Sequence, residues 1–225
     1  MLRIWRVFWT LVAKDLRIEL RGGRLIASTL ALGVLLILVV GIALDAASHL
    51  DPQWSAGLLW MVLFFATSIG LTRNDLKDQE LGGGLGSLLA PIDRSFIFYA
   101  RWLSTWVIVS LSALGMLLAF FVVLSVPAPA KPVSFLLVVI GGTLGLTGVG
   151  SFLGQLAGTS TLRDILVPLM LFPTTIPLFI ALIRLTVISM SPTVAGAHIW
   201  VEVVIGYLIL FAIMPFLLYE TMTEV

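Results

Sequence analysis

Six apolar runs divide the chain, at residues 25–44, 52–72, 102–126, 133–162, 165–183 and 203–219. Five of them reach or approach the roughly 20 residues that cross hydrocarbon as a helix, and the sixth is shorter. The pattern predicts an all-α integral membrane fold with six transmembrane helices, forming a single six-span domain over residues 1–225. Only Arg163 and Asp164 separate the fourth run from the fifth, so these two should form a helical hairpin with a very short turn.

Ahead of the first run, Arg3, Arg6, Thr10, Lys14, Arg17, Arg21 and Arg24 recur every three or four residues, which is one stripe of a helix. Trp5, Phe8, Trp9, Val12 and Leu16 occupy its other faces. Residues 1–24 are therefore expected to form an amphipathic interfacial helix in the headgroup plane. Its aromatic side would enter the acyl boundary, while Arg3, Arg6, Lys14, Arg17 and Arg21 face anionic lipid. The segment is too long for a signal-peptide n-region and the run after it exceeds a cleavable h-region, so the first span reads as uncleaved.

Residues 73–101 form the longest polar element inside the bundle. A charged stretch with Asp75, Lys77, Asp78 and Glu80 suits a short helix, Gly82 to Gly84 break it, and Leu85, Leu88 and Leu89 follow at helical spacing until Pro91. Alternating charged and apolar elements suit a surface that docks a soluble protein. The fourth run carries Gly141, Gly145 and Gly148, then Gly150, Gly154 and Gly158, rows of small residues that let a neighbouring helix approach closely. The fifth carries Pro168, Pro173 and Pro177, each of which removes a backbone donor. A kinked or broken span that serves as a hinge is the expectation there.

Composition sharpens this picture. A hydrophobic fraction of 60% with 11% charge excludes a soluble globule, whose surface needs about 25% charged residues. With a cytoplasmic N-terminus, eleven of the thirteen basic residues face the cytoplasm, and six spans return the C-terminus to the same side. Topology thus accounts for the basic clusters without a nucleic-acid partner. The absence of cysteine removes disulfides, thiolate metal sites and cysteine nucleophiles.

Candidate chemistry is sparse. The cluster Gly82-Gly83-Gly84-Leu85-Gly86-Ser87 is not a phosphate loop, because the three lysines are followed by Asp15, Asp78 and Pro132 rather than Ser or Thr. His49 and His198 fall in external loops, where solvation is the usual fate of a lone imidazole. Trp54, Trp60 and Trp200 sit where aromatic belts form. Arg163, Asp164, Arg184 and Glu202 lie at span ends, so no intramembrane proton relay is expected. No catalytic residue and no metal-ligand set is expected, and energy would have to come from a partner.

Several stretches in one order resemble the CcmB family of bacterial cytochrome c maturation. They are Lys14-Asp15-Leu16-Arg17-Ile18-Glu19, then Asp78-Gln79-Glu80-Leu81-Gly82 through Leu85, Leu88 and Pro91 to Tyr99-Ala100-Arg101. Gly142-Thr143-Leu144-Gly145 to Gly154 follows, then Leu166-Val167-Pro168-Leu169 to Phe172-Pro173-Thr174-Thr175-Ile176-Pro177. The resemblance spans the whole chain, with a departure at Gly83 to Gly86, where the family pattern carries a polar or acidic residue. It implies a permease-like subunit with an ABC type-2 exporter-like fold in the bacterial inner membrane, with both termini cytoplasmic. Its partners would be a second copy of itself, two copies of the ATPase CcmA, CcmC, CcmD and, transiently, the haem chaperone CcmE. No cofactor would be bound directly: ATP and Mg would belong to the ATPase, and haem to the other partner subunits. The implied task is to use ATP hydrolysis to release haem-loaded chaperone. Coupling to the ATPase would fall to Asp75, Lys77, Asp78, Glu80, Leu85, Leu88 and Leu89. Two other readings compete: a type-2 ABC permease translocating haem, lipid or polysaccharide, and a membrane scaffold with no energy input.

Overall fold

In hydrocarbon every backbone amide must find its partner within its own segment, so apolar runs of this length can only be helices. A computed structural model describes residues 2–44, 50–80, 94–156, 163–192 and 196–222, and among them regular structure is entirely helical. In chain order the helices are α1 (Leu2–Gly22), α2 (Arg24–Ala43), α3 (Pro52–Glu80), α4 (Arg94–Val123), α5 (Pro132–Leu156), α6 (Arg163–Met190) and α7 (Ala197–Met222). Among the described residues, stretches of α2, α4, α5, α6 and α7 are each long and apolar enough to cross a bilayer. The chain is a multi-pass helical membrane protein. The second predicted run, 52–72, forms the first part of α3.

Cross-helix pairs give the directions. Trp102 and Trp106 of α4 reach the carbonyls of Leu144 and Ile140 in α5, so these two run antiparallel. Trp60 meets Thr186 while Phe64 meets Phe179, which makes α3 and α6 antiparallel. Gly33 faces Met116 and Gly41 faces Val123, so α2 and α4 are parallel. One end of the bundle therefore gathers the start of α2, the end of α3, the start of α4 and α6, and the end of α7.

The core is built on α3, α5 and α6. Trp60 is 1% exposed, and its indole N–H donates to the Thr186 hydroxyl at 2.9 Å. Its ring lies over bare backbone: a methyl group at Gly142 would stand 2.1 Å from Trp60 Cη2 and 2.9 Å from Leu182 Cδ1. The same device recurs where Gly148 faces the Trp102 ring, Gly145 faces Leu178, and Gly33 faces the Met116 sulfur. Serine and threonine hydroxyls in the core mostly bond back to their own helices, as Ser104, Ser112 and Thr147 do. Thr29 and Thr67 are the exceptions among the described residues, and nothing in the structure explains their unpartnered hydroxyls.

Five expectations need correction. The fifth span is not broken, because α6 runs unbroken through Pro168, Pro173 and Pro177. Thr174 and Thr175 stabilise the turn around Pro173, their hydroxyls donating to the carbonyls of Met170, Leu171 and Phe172. The charged stretch at 73–80 is not a separate short helix opening a loop over 73–101. It continues α3, and residues 94–101 already belong to α4, so only 81–93 lies between the two helices. Trp60 is not a belt residue, whereas Trp54, at 71% exposure, does face outward. Gly141 meets open space, and the close approach falls to its neighbour Gly142. Gly150 and Gly154 are buried. Arg163 and Asp164, expected as a short hairpin turn, are instead the first residues of α6, while α5 is described only to Leu156. Gly158 and His49 lie outside the described residues.

Because the Trp60 ring cannot retreat without losing Thr186, Gly142→Ala should lower stability by about 1–3 kcal/mol, the usual cost of overpacking. Gly141→Ala should be near neutral. Thermal unfolding of the two purified variants in one detergent checks the contrast.

Candidate functional site

The end of the bundle where α3 finishes and α4 begins collects the polar features of the chain. It is bordered by α1, which packs along α4. Val12 and Glu19, two helical turns apart, are the buried positions of α1 among the described residues. By register Trp5, Phe8 and Trp9 lie on that same side but beyond the contact. They cluster with ring centroids 5.9–6.0 Å apart, and Trp5 is 62% exposed. Arg6, Lys14, Arg17 and Arg21 are exposed on the other side, where Thr10, Lys14, Arg17 and Arg21 line one shallow groove. The Arg3 backbone belongs to the same helix. Lys14 also pairs with Asp15 at 3.4 Å, an exposed contact of little energetic weight.

The joint between α1 and α2 rests on a residue with no predicted role beyond its place in the opening motif. Gly23 takes φ +58, a left-handed conformation suited to glycine, and ends α1. The Glu19 side chain then turns back across this corner. Its Oε1 accepts from the backbone N–H of Leu25 at 2.6 Å and of Ile26 at 3.1 Å. These are first-turn donors of α2, left without intrahelical partners, and the positive end of the helix dipole favours a carboxylate there. The carboxylate therefore fixes the angle of the elbow. The signal was legible only as an acid six residues before an apolar run, with glycines between.

Across the bundle end, Asp75, Lys77, Asp78 and Glu80 occupy the last turns of α3, a continuous helix that begins beside the buried Ser55 and passes through Trp60. Leu85, Leu88 and Leu89 lie outside the described residues. Downstream, α4 opens with Phe98 buried and Tyr99 beside it. His198 is exposed at the second position of α7. No three His, Asp or Glu side chains converge among the described residues. What this end offers is mechanical: a charged helix end continuous with the core, and an elbow held by one carboxylate.

The chain matches the family described as CcmB protein over residues 6–219. It belongs to the CcmB family. Among its relatives, the heme exporter protein B of Pseudomonas aeruginosa is 28% identical over 181 residues, covering 77% of this chain and 78% of the relative. The heme exporter protein B of Rhodobacter capsulatus is 27% identical over 173 residues, covering 76% and 78%. The matched CcmB region takes in Glu19, the charged end of α3, the Trp60 junction and all three prolines of α6.

Glu19→Ala removes the only side-chain acceptor at the start of α2 among the described residues, and should cost about 1–2 kcal/mol, as lost caps do. Hydrogen exchange should accelerate at the amides of Leu25 and Ile26 and stay unchanged in the middle of α5.

Proposed function

We propose that this chain is the membrane subunit of an ATP-driven haem-handling complex in bacterial cytochrome c maturation. The observation that carries this reading is the unbroken path of α3. Charged residues at its end, Asp75 to Glu80, lie on the same helix as Trp60, which is bonded to α6 and seated on α5. A helix transmits an axial push or a tilt along its length, so a soluble motor seated on that end would act directly on the core. Membership of a family whose relatives are named heme exporter protein B supports haem as the cargo of the complex.

In this reading two copies of the ATPase CcmA, which hold the ATP and Mg, dock on residues 75–89 of two copies of this chain. Asp75, Lys77, Asp78 and Glu80 supply charge, and Leu85, Leu88 and Leu89 the apolar contact. The basic face of α1 rests on anionic lipid of the cytoplasmic leaflet of the inner membrane, Trp5 and Trp9 enter the acyl boundary, and α3 is a sixth span. The basic residues that cluster before α2 and after 72 orient both termini to the cytoplasm. Closure of the ATPase pair shifts α3, the shift reaches α6 through Trp60, and the far side of the bundle changes shape. That change releases haem-loaded CcmE from CcmC and CcmD. The chain itself performs no covalent chemistry.

Asp78→Lys combined with Glu80→Lys should reduce copurification of the ATPase more than about tenfold, since like charges across an interface cost several kcal/mol. Full recovery of the ATPase on the double variant would remove this docking assignment. Deleting the gene should abolish covalent haem in c-type cytochromes while loaded chaperone accumulates on its loading partner. An empty chaperone would point to haem delivery instead.

A further inference from the structure

Two of the three tyrosines bridge helices through their hydroxyls, and both do so at the same kind of place. Tyr99 of α4 donates to the Ala212 carbonyl of α7 at 2.5 Å. Tyr207 of α7 donates to the Thr174 carbonyl of α6 at 3.1 Å. Ala212 stands three residues before Pro215 and Thr174 three before Pro177, each proline lying inside its helix. A proline has no N–H for the carbonyl four residues back, and its ring presses on that turn. Carbonyls in the loosened turn are open to a donor from outside the helix, as at other helix-breaking residues inside membranes. Each hydroxyl enters such a turn.

The two bonds form a series. Residues 81–93 lead into α4, whose second turn carries Tyr99; Tyr99 holds α7 beside Pro215; Tyr207 of α7 holds α6 beside Pro177. The rings are seated as well. Tyr207 lies against Phe211 with centroids 4.7 Å apart, and Phe211 meets Phe152 of α5. Tyr99 lies beside Trp102, whose ring covers Gly148. A change from tyrosine to phenylalanine therefore keeps the packing and deletes only the latch.

We propose that Tyr99 and Tyr207 are positioning residues that latch the proline turns of α7 and α6 in one of two packings, and that displacement of α4 by the docked ATPase releases them in turn. The proposal rests on the ATP-driven reading for the source of the displacement, while the latch itself is a property of this chain. A bond to a carbonyl beside a proline suits exchange, because that carbonyl's neighbour, four residues before the proline, has no helical N–H to receive.

The absence of cysteine allows this chain to be labelled site-specifically before assembly, without background of its own. Spin labels at Phe96→Cys on α4 and Leu169→Cys on α6, both exposed, report the distance across the series in the assembled complex, with and without trapped nucleotide. Tyr99→Phe and Tyr207→Phe should each raise the second distance population without nucleotide by roughly fivefold, the scale of one net hydrogen bond. The pair together should make the distribution insensitive to nucleotide. Thermal midpoints measured alongside should fall by no more than the loss of one net hydrogen bond per variant accounts for, because the rings remain. An unchanged distribution in the double variant overturns the latch. A variant that redistributes while the parent ignores nucleotide keeps the latch and overturns the ATP-driven reading.

Discussion

Lipid tails are as apolar as leucine, so helices in a bilayer gain little by touching and are held by close backbone approach and by polar groups. The junction at Trp60 supplies both at once. A large ring occupies the space that Gly142 leaves on α5, and its one polar atom is satisfied by Thr186 of α6. Three helices are thereby tied at one point, and the order of the remaining helices follows from contacts made around it. Trp102 over Gly148 and Trp106 on the Ile140 carbonyl repeat the solution between α4 and α5.

Much of this was readable from pattern alone. Apolar runs located the helices because composition in a bilayer is dictated by the solvent, and the glycine row on α5 marked a packing face. Register within that row was not readable: Gly141 and Gly142 are neighbours in sequence, and only the arrival of Trp60 distinguishes them. Gly33, Gly41 and Gly115, which let α2 and α4 approach, are isolated and gave no row to notice. Trp60 itself misled, since a tryptophan a few residues into a span looks like a belt residue until a partner for its N–H is known.

Prolines misled in another way. Local rules predict a kink or a break, yet α6 continues through three of them, with threonine hydroxyls bonding carbonyls around Pro173 and a tyrosine from α7 bonding one beside Pro177. Those donors lie next to a proline in sequence in one case and 33 residues from the carbonyl they bind in the other. Only the nearby ones are visible before the fold is known. The candidate docking residues divide similarly. Their charge and spacing were plain, but that Asp75 to Glu80 continue α3 was hidden, because a change from apolar to charged residues reads as the start of a loop.

Glu19 and the amides it binds are six and seven residues apart. Such a contact needs no other part of the protein, and it is available as soon as residue 26 has left the ribosome. The corner between the basic helix and the first apolar helix is thus a property of one short stretch of sequence, and it holds whatever the later helices do.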